Sequence, residues 1–426
     1  MKRYRRAVVP ALLAAAALVA VSGCVNEIDG SSPGGKDGSG GGPLTISRFA
    51  GPWADALTEV VKDFTAETGI EVRVDAIDYA QLQQKQVLNM SGKTGEYDVV
   101  YVPENWYTQY LAEGYLEPLG GHLSSPEVAD QFVPTAVEIT TGEDGELYGL
   151  PDSVQTDLMC FNKTDMADAG LAIPATWEEI LPVAQHFKTE GSGIALAGRQ
   201  GTANADMLIT LTQGNGGSVL KADGTLNLTS PEVVEAATFM ADLMKYSVDG
   251  STSWHWDEAL KAIQFGEAPL GTCLSGLASA LEDPGQSKVA GDVAYSAMPY
   301  NKEIGGYLLT WNYSVAADSK NKADAVKLVE WLTSEEAQRG MLEAYPGPVS
   351  LRADLFDDAS LAEQYPWIPA IKSTLDNATP PPLSTGSAKF MDTVGAALSR
   401  VFVDGVAPAT ALADAEKQLA PDFPAQ

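Results

Sequence analysis

The run LTISRFAGPWADALTEVVKDFTAETGIEVRV, residues 44–74, decides the fold class. Leu44, Thr45 and Ile46 open a short strand. Trp53, Leu57, Val60, Val61 and Phe64 then fall at helical spacing on one face of a helix that Gly69 ends. Ile70, Val72 and Val74 alternate with polar residues, as a half-buried strand does. After an intervening polar helix, Tyr97-Asp98-Val99-Val100-Tyr101-Val102 reads as a denser, buried strand. The order is β-α-β-α-β, which argues for mostly parallel sheets flanked by helices, with a ligand at the carboxyl ends of the strands.

Downstream the alternation continues. Ser125 before Pro126, Thr176 with Glu179, Ser230 before Pro231 and Thr333 with Glu336 mark helix starts. Residues 158–161, 268–273 and 308–316 read as buried strands. Roughly 380 residues follow position 43, too many for one ordinary core, so two lobes are expected.

Upstream, Lys2, Arg3, Arg5 and Arg6 precede an apolar run, 7–21, too short for a comfortable membrane span. It ends in Val21-Ser22-Gly23-Cys24, which resembles the lipobox of bacterial lipoproteins. That resemblance makes 1–23 a signal peptide and Cys24 a lipidated first mature residue that anchors the chain to the outer face of the cell membrane. Residues 24–43 are dominated by Gly and Ser and cannot bury apolar surface, so they read as a flexible tether.

Lys and Arg number 27 against 57 Asp and Glu, a formal net charge of −30, and four of the basic residues lie in the leader. A chain this acidic is repelled by phosphate backbones, so nucleic acid is excluded as a partner. After Cys24 only Cys160 and Cys273 remain, in no CxxC pair, and His122, His186 and His255 share no ligand spacing, so no metal or cofactor is expected. The two cysteines, on buried strands, are expected as free thiols. There is no G-x-S-x-G, no H-E-x-x-H, no Walker loop and no G-x-G-x-x-G after a strand, and the chain reads as a binding protein, not an enzyme.

Several landmarks in one order are similar to those of the extracellular solute-binding proteins of the family 1 type, the carbohydrate branch that includes maltose-binding proteins. They include Phe64 through Val72, Tyr97-Asp98-Val99-Val100, Leu111 through Leu119, Gly145-Glu146-Leu147-Tyr148-Gly149-Leu150-Pro151, Phe161-Asn162-Lys163 and Trp331 through Gln338. The resemblance implies a two-lobed α/β periplasmic-binding-protein fold of type II. Its N-terminal lobe is expected from 44–151 and 284–344, and its C-terminal lobe from 152–283 and 345–426. It further implies a monomer that closes around a mono- or oligosaccharide and passes it to the permease and ATPase of an ABC importer. The chain departs from the family at Asp152 through Asp157 and at Gly276-Leu277-Ala278, where many members carry Gly-x-Trp, so no known sugar specificity carries over.

Sugar sites combine flat aromatic faces with planar polar groups. The loops that could supply them carry Trp53, Glu104, Asn105 and Trp106 on the first lobe and Trp254 and Trp256 on the second, with Gly306, Trp311 and Tyr345 near the returns between lobes. Asp152, Gln155 and Asp157 fall at the first crossing, as hydroxyl acceptors or as turn residues. Arg48 and Glu104 read either as ligand contacts or as a structural ion pair. Trp256→Ala is expected to cost on the order of 2 kcal/mol of binding with little loss of folding stability. A cationic or zwitterionic, polyamine-like solute held by tryptophans and carboxylates is the rival reading. A secreted glycoside hydrolase, which needs only two carboxylates, is a more distant one.

Overall fold

The computed structural model describes residues 42–347, 349–375, 378, 384 and 386–425. The expected signal peptide, Cys24 and nearly all of the expected tether lie outside the described residues. Residues 40–426 form one unit built on two sheets.

Ten strands run through its described residues. They are β1 (Leu44–Phe49), β2 (Val72–Ile77), β3 (Val99–Pro103), β4 (Gly149–Gln155), β5 (Asp157–Asn162), β6 (Ile194–Ala195), β7 (Leu270–Leu274), β8 (Val293–Ala297), β9 (Leu309–Val315) and β10 (Val349–Ser350). The first sheet has the order β10-β4-β9-β3-β1-β2 and the second β6-β7-β5-β8. The opening run folds as its periodicity requires. Helix Pro52–Thr68 buries Trp53, Leu57, Val60, Val61 and Phe64 and stops at Gly69 in the left-handed conformation, φ 73°.

The sheets are mixed rather than mostly parallel. Parallel pairing holds between β1 and β2, β1 and β3, and β6 and β7, whereas β3–β9, β4–β9, β4–β10, β5–β7 and β5–β8 are antiparallel. The sequence rule fails where it was not tested by a βαβ unit: β9 enters the first sheet directly from the second, with no crossover helix to turn it round. The expected lobe boundaries shift for the same reason. β8 still pairs with β5 in the second sheet, so the return falls between Ala297 and Leu309, not at 284. β10 pairs with β4 in the first sheet, although 345–426 was expected in the other lobe.

One helix start also moves. Ser334, not Thr333, caps helix Glu335–Ala344 by accepting from the Ala337 amide at 3.3 Å, because the Thr333 hydroxyl is committed to the Val329 carbonyl of the preceding helix at 2.9 Å. Thr176 and Glu179 form the expected reciprocal cap.

Cys160 and Cys273 are joined by a disulfide, contrary to the expectation of free thiols. Strand β5 pairs with β7 so that Leu158 faces Cys273 and Cys160 faces Gly271, which makes the cysteines diagonal neighbours with Cα atoms 6.1 Å apart, inside the range a disulfide needs. Their separation of 113 residues in sequence hid a contact that only the strand register creates. No helix among the described residues is long and apolar enough to cross a membrane.

Candidate functional site

The chain passes from the first sheet to the second through one residue, Thr156, between the end of β4 and the start of β5. Ser275 pins this crossing from both sides, its hydroxyl accepting from the Thr156 amide at 3.0 Å and its own amide donating to the Thr156 carbonyl at 3.0 Å. The Thr156 side chain is fully buried, yet its hydroxyl has no hydrogen-bond partner among the described residues. Next to it, Asp157 accepts from Trp256 Nε1 at 3.1 Å through one oxygen, while its buried Oδ2 has no such partner.

Facing these residues is Asp206, in the middle of helix Thr202–Gly214. It is fully buried, and neither carboxylate oxygen has a hydrogen-bond partner among the described residues. Across this helix lies the returning strap Gly305-Gly306-Tyr307. The Gly306 amide donates to Gln213 Oε1 at 3.0 Å and the Tyr307 amide to Thr210 Oγ1 at 2.9 Å. Only glycine fits at 305, since a Cβ there would stand 2.5 Å from the Gly214 amide nitrogen and 2.6 Å from the Thr210 carbonyl oxygen. The strap therefore lies directly on the helix and brings Tyr307 to Glu104. The Glu104 carboxylate opens helix Glu104–Ala112 and accepts from the Thr310 amide at 2.9 Å and the Tyr307 hydroxyl at 3.5 Å.

Three carboxyls thus share a desolvated place where the sheets meet. Burial raises Glu104 to about 8, its hydrogen bonds acting the other way. Burial likewise raises Asp157 to about 7, against the Trp256 hydrogen bond. Asp206 is pushed well above the usual carboxylate range by burial first, then by repulsion from Asp157 and Glu104.

A second cluster lies on the first sheet. Arg48 is fully buried; its guanidinium sits 4.2 Å from the Tyr101 ring centroid and 5.0 Å from that of Trp53, and Nη1 donates to the Tyr313 hydroxyl at 2.8 Å. Burial works against its charge, but Tyr313, Tyr101 and Asp152 more than offset that, leaving Arg48 above its ordinary value. Asp152 occupies a bulge where β4 slips against β9, and it accepts from the Tyr101 hydroxyl at 2.6 Å and from Gln338 at 2.7 Å. Of the two readings of Arg48 and Glu104, ligand contacts or a structural ion pair, the ion pair does not form, since the charges beside Arg48 are Tyr313, Tyr101 and Asp152.

The expected site residues divide between these clusters. Glu104, Asp157, Trp256 and Gly306 come together at the carboxyl group, with half-buried Gln155 at the crossing, its side chain lying over Gly276. Asn105 adjoins Glu104 and is half-buried, and its Oδ1 lacks a hydrogen-bond partner among the described residues. Trp311 is absorbed into the first sheet, stacked on Tyr101 at 4.9 Å with an interplanar angle of 10°. Trp106 packs its edge toward Trp311 at 6.2 Å, and Trp53 lies edge-on to Phe49 and Tyr345. Asp152 belongs with Arg48, and Trp254 packs over the turn at Gly250. Asp206, Thr156 and Tyr307 were not singled out by sequence. A signal existed for Asp206: it is the one acid in a helix buried on nearly every side.

Comparison with known proteins follows the same lines. The family described as "Bacterial extracellular solute-binding protein" matches residues 50–339. A probable amino-acid ABC transporter periplasmic-binding protein of Sinorhizobium fredii is 28% identical over 363 residues, 82% of this chain and 82% of that protein. The erythritol/L-threitol-binding protein of Mycolicibacterium smegmatis is 24% identical over 88% of this chain and 84% of its own. Among solved structures, an ABC transporter solute-binding protein of Agrobacterium radiobacter in complex with ribitol superposes with a TM-score of 0.75 at 25% identity, covering 89% of this chain and 98% of that one.

Proposed function

The chain belongs to the bacterial extracellular solute-binding protein family, and from that premise we propose that it captures a sugar or an alditol outside the cytoplasmic membrane and hands it to an ABC permease and its ATPase. The observation that carries this reading is the set of buried, unpartnered oxygens of Thr156, Asp157 and Asp206 where the two sheets meet. Buried polar groups in proteins are almost always hydrogen-bonded, and each one left unmade costs about 1–3 kcal/mol. A polyhydroxylated solute supplies the missing partners, and the neighbouring Trp256 indole supplies an apolar wall for its C–H face. A relative named for binding erythritol and L-threitol, and a structural neighbour in complex with ribitol, support solutes of this size and chemistry.

The groups that would touch the solute come from both sides of the crossing: Thr156, Asp157, Asp206 and Trp256 from the second sheet and its helices, Glu104 and Asn105 from the first. Contact with both sides biases the chain toward a closed arrangement that a permease can distinguish from the open one. In this reading Cys24 carries the lipid that keeps the protein at the outer face of the membrane, and residues 24–43 give it reach. A thermal-shift panel of hexoses, pentitols, hexitols and tetritols tests the proposal. A bound solute at a hundred times its Kd adds about 2.7 kcal/mol of stability, which such a scan reads directly. A panel in which no sugar or alditol raises the transition temperature would refute it.

A further inference from the structure

Resting on that reading, we infer that the solute also carries a protonated amine, as an amino alditol or amino sugar does, and that its ammonium group sits among Asp157, Asp206 and Glu104. Asp206 is wholly buried with neither oxygen hydrogen-bonded among the described residues, and Asp157 has one oxygen in the same condition. The Thr156 hydroxyl, also buried and unpartnered, adjoins the same place, since a Cβ on Gly306 would lie 3.3 Å from it. Burial holds these carboxyls protonated in the empty site; a neutral solute satisfies their hydrogen bonds, whereas an ammonium group lets them ionise and pairs the charge that results. Buried charges are otherwise paired.

Among the described residues no basic side chain pairs with them. Facing Asp206 are Asp157, Glu104 and the Tyr307 phenol, and facing Glu104 are Tyr307 and Tyr79. Among the cations of the surrounding elements, Arg48 is engaged with Tyr313 and Asp152. Lys261, on the Trp256 helix, bridges to Asp257. On helix Ser387–Asp404, which packs against the Asp206 helix, Lys389 bridges to Asp422 and Arg400 to Asp414. His255 lies beside Trp256, with burial and Arg199 both disfavouring its charge. No three His, Cys, Asp or Glu side chains among the described residues are grouped to hold a metal ion.

The test is calorimetric titration of the whole chain with tetritols, pentitols, hexitols and hexoses and with their monoamino counterparts, at pH 6 and pH 8 and in two buffers of different ionisation enthalpy. The ammonium of an amino alditol stays charged over most of this window, whereas that of an amino hexose loses its proton in part near pH 8, so the alditol pairs carry the pH comparison. The amine should bind at least about tenfold tighter than its hydroxyl counterpart at pH 8, release protons on binding, and gain affinity from pH 6 to pH 8 as the carboxyls ionise. Asp206→Asn should weaken both compounds but cost the amine at least about tenfold more than its hydroxyl counterpart, removing the preference; if this variant does not fold, the comparison on the unaltered chain decides alone. A hydroxyl compound that binds as tightly as its amine, with no pH dependence, would overturn the inference and leave the proposed function standing. Binding of no compound in either series would overturn both.

Discussion

Glu104→Gln should make the solute-free protein more stable at neutral pH, and the size follows from the site. The Glu104 carboxyl is held near 8 by burial, against an ordinary value of 4.5. Between those two values the folded chain keeps a proton that the unfolded chain has released. The contribution of this group is therefore fully present below about 4.5 and is lost as pH rises toward 8, at roughly 1.4 kcal/mol per pH unit. At pH 7 the accumulated loss is on the order of 3 kcal/mol. Glutamine is neutral at every pH and keeps an acceptor oxygen for the Thr310 amide. Urea unfolding of both proteins from pH 4.5 to pH 8 measures the difference, because every other carboxyl outside this cluster titrates alike in both and cancels. The two stability curves should meet near pH 4.5 and diverge steadily above it. Curves that stay parallel over the whole range would refute the reasoning, since Glu104 would then be solvated in the folded chain.

Three further outcomes are expected. Trp256 is only 8% exposed and its N–H is bonded to Asp157, so Trp256→Ala should cost about 3–5 kcal/mol of folding stability, not the negligible loss the sequence suggested, while Trp256→Phe should fold well and bind about tenfold more weakly; unfolding curves and calorimetry separate the two effects. Alkylation without reductant should add no label at Cys160 or Cys273, and reduction should lower stability by roughly 2–5 kcal/mol in chemical denaturation, as expected for a bond closing a long loop. Cys24→Ala should move the protein from the membrane fraction to the soluble extracytoplasmic fraction; a variant still found with the membrane would require another anchor.

The opening strand, helix and strand were legible because each carries its own period, and the buried runs at β5, β7 and β9 were legible from apolar density alone. Sheet direction was not, because β9 is antiparallel by virtue of where the chain has come from, which no local pattern records. The disulfide was hidden for a related reason, as it depends on the register of two strands far apart in sequence. At the site, Glu104 stood out at the end of its strand and Asp157 at the crossing between lobes, whereas Asp206 reaches them only through the packing of its helix under the 305–307 strap. Aromatic residues misled in the other direction. Trp311 has the chemistry of a stacking platform, but Tyr101 already covers one of its faces.

The most direct measurement is a crystal structure of the protein with the tightest-binding solute from the panel. The account places that solute where the two sheets meet, hydrogen-bonded to Asp206, Asp157 and Thr156 and bordered by Trp256, with Glu104 or Asn105 reaching it from the other side. A solute bound elsewhere, with the Asp206 carboxylate satisfied only by water, would contradict it.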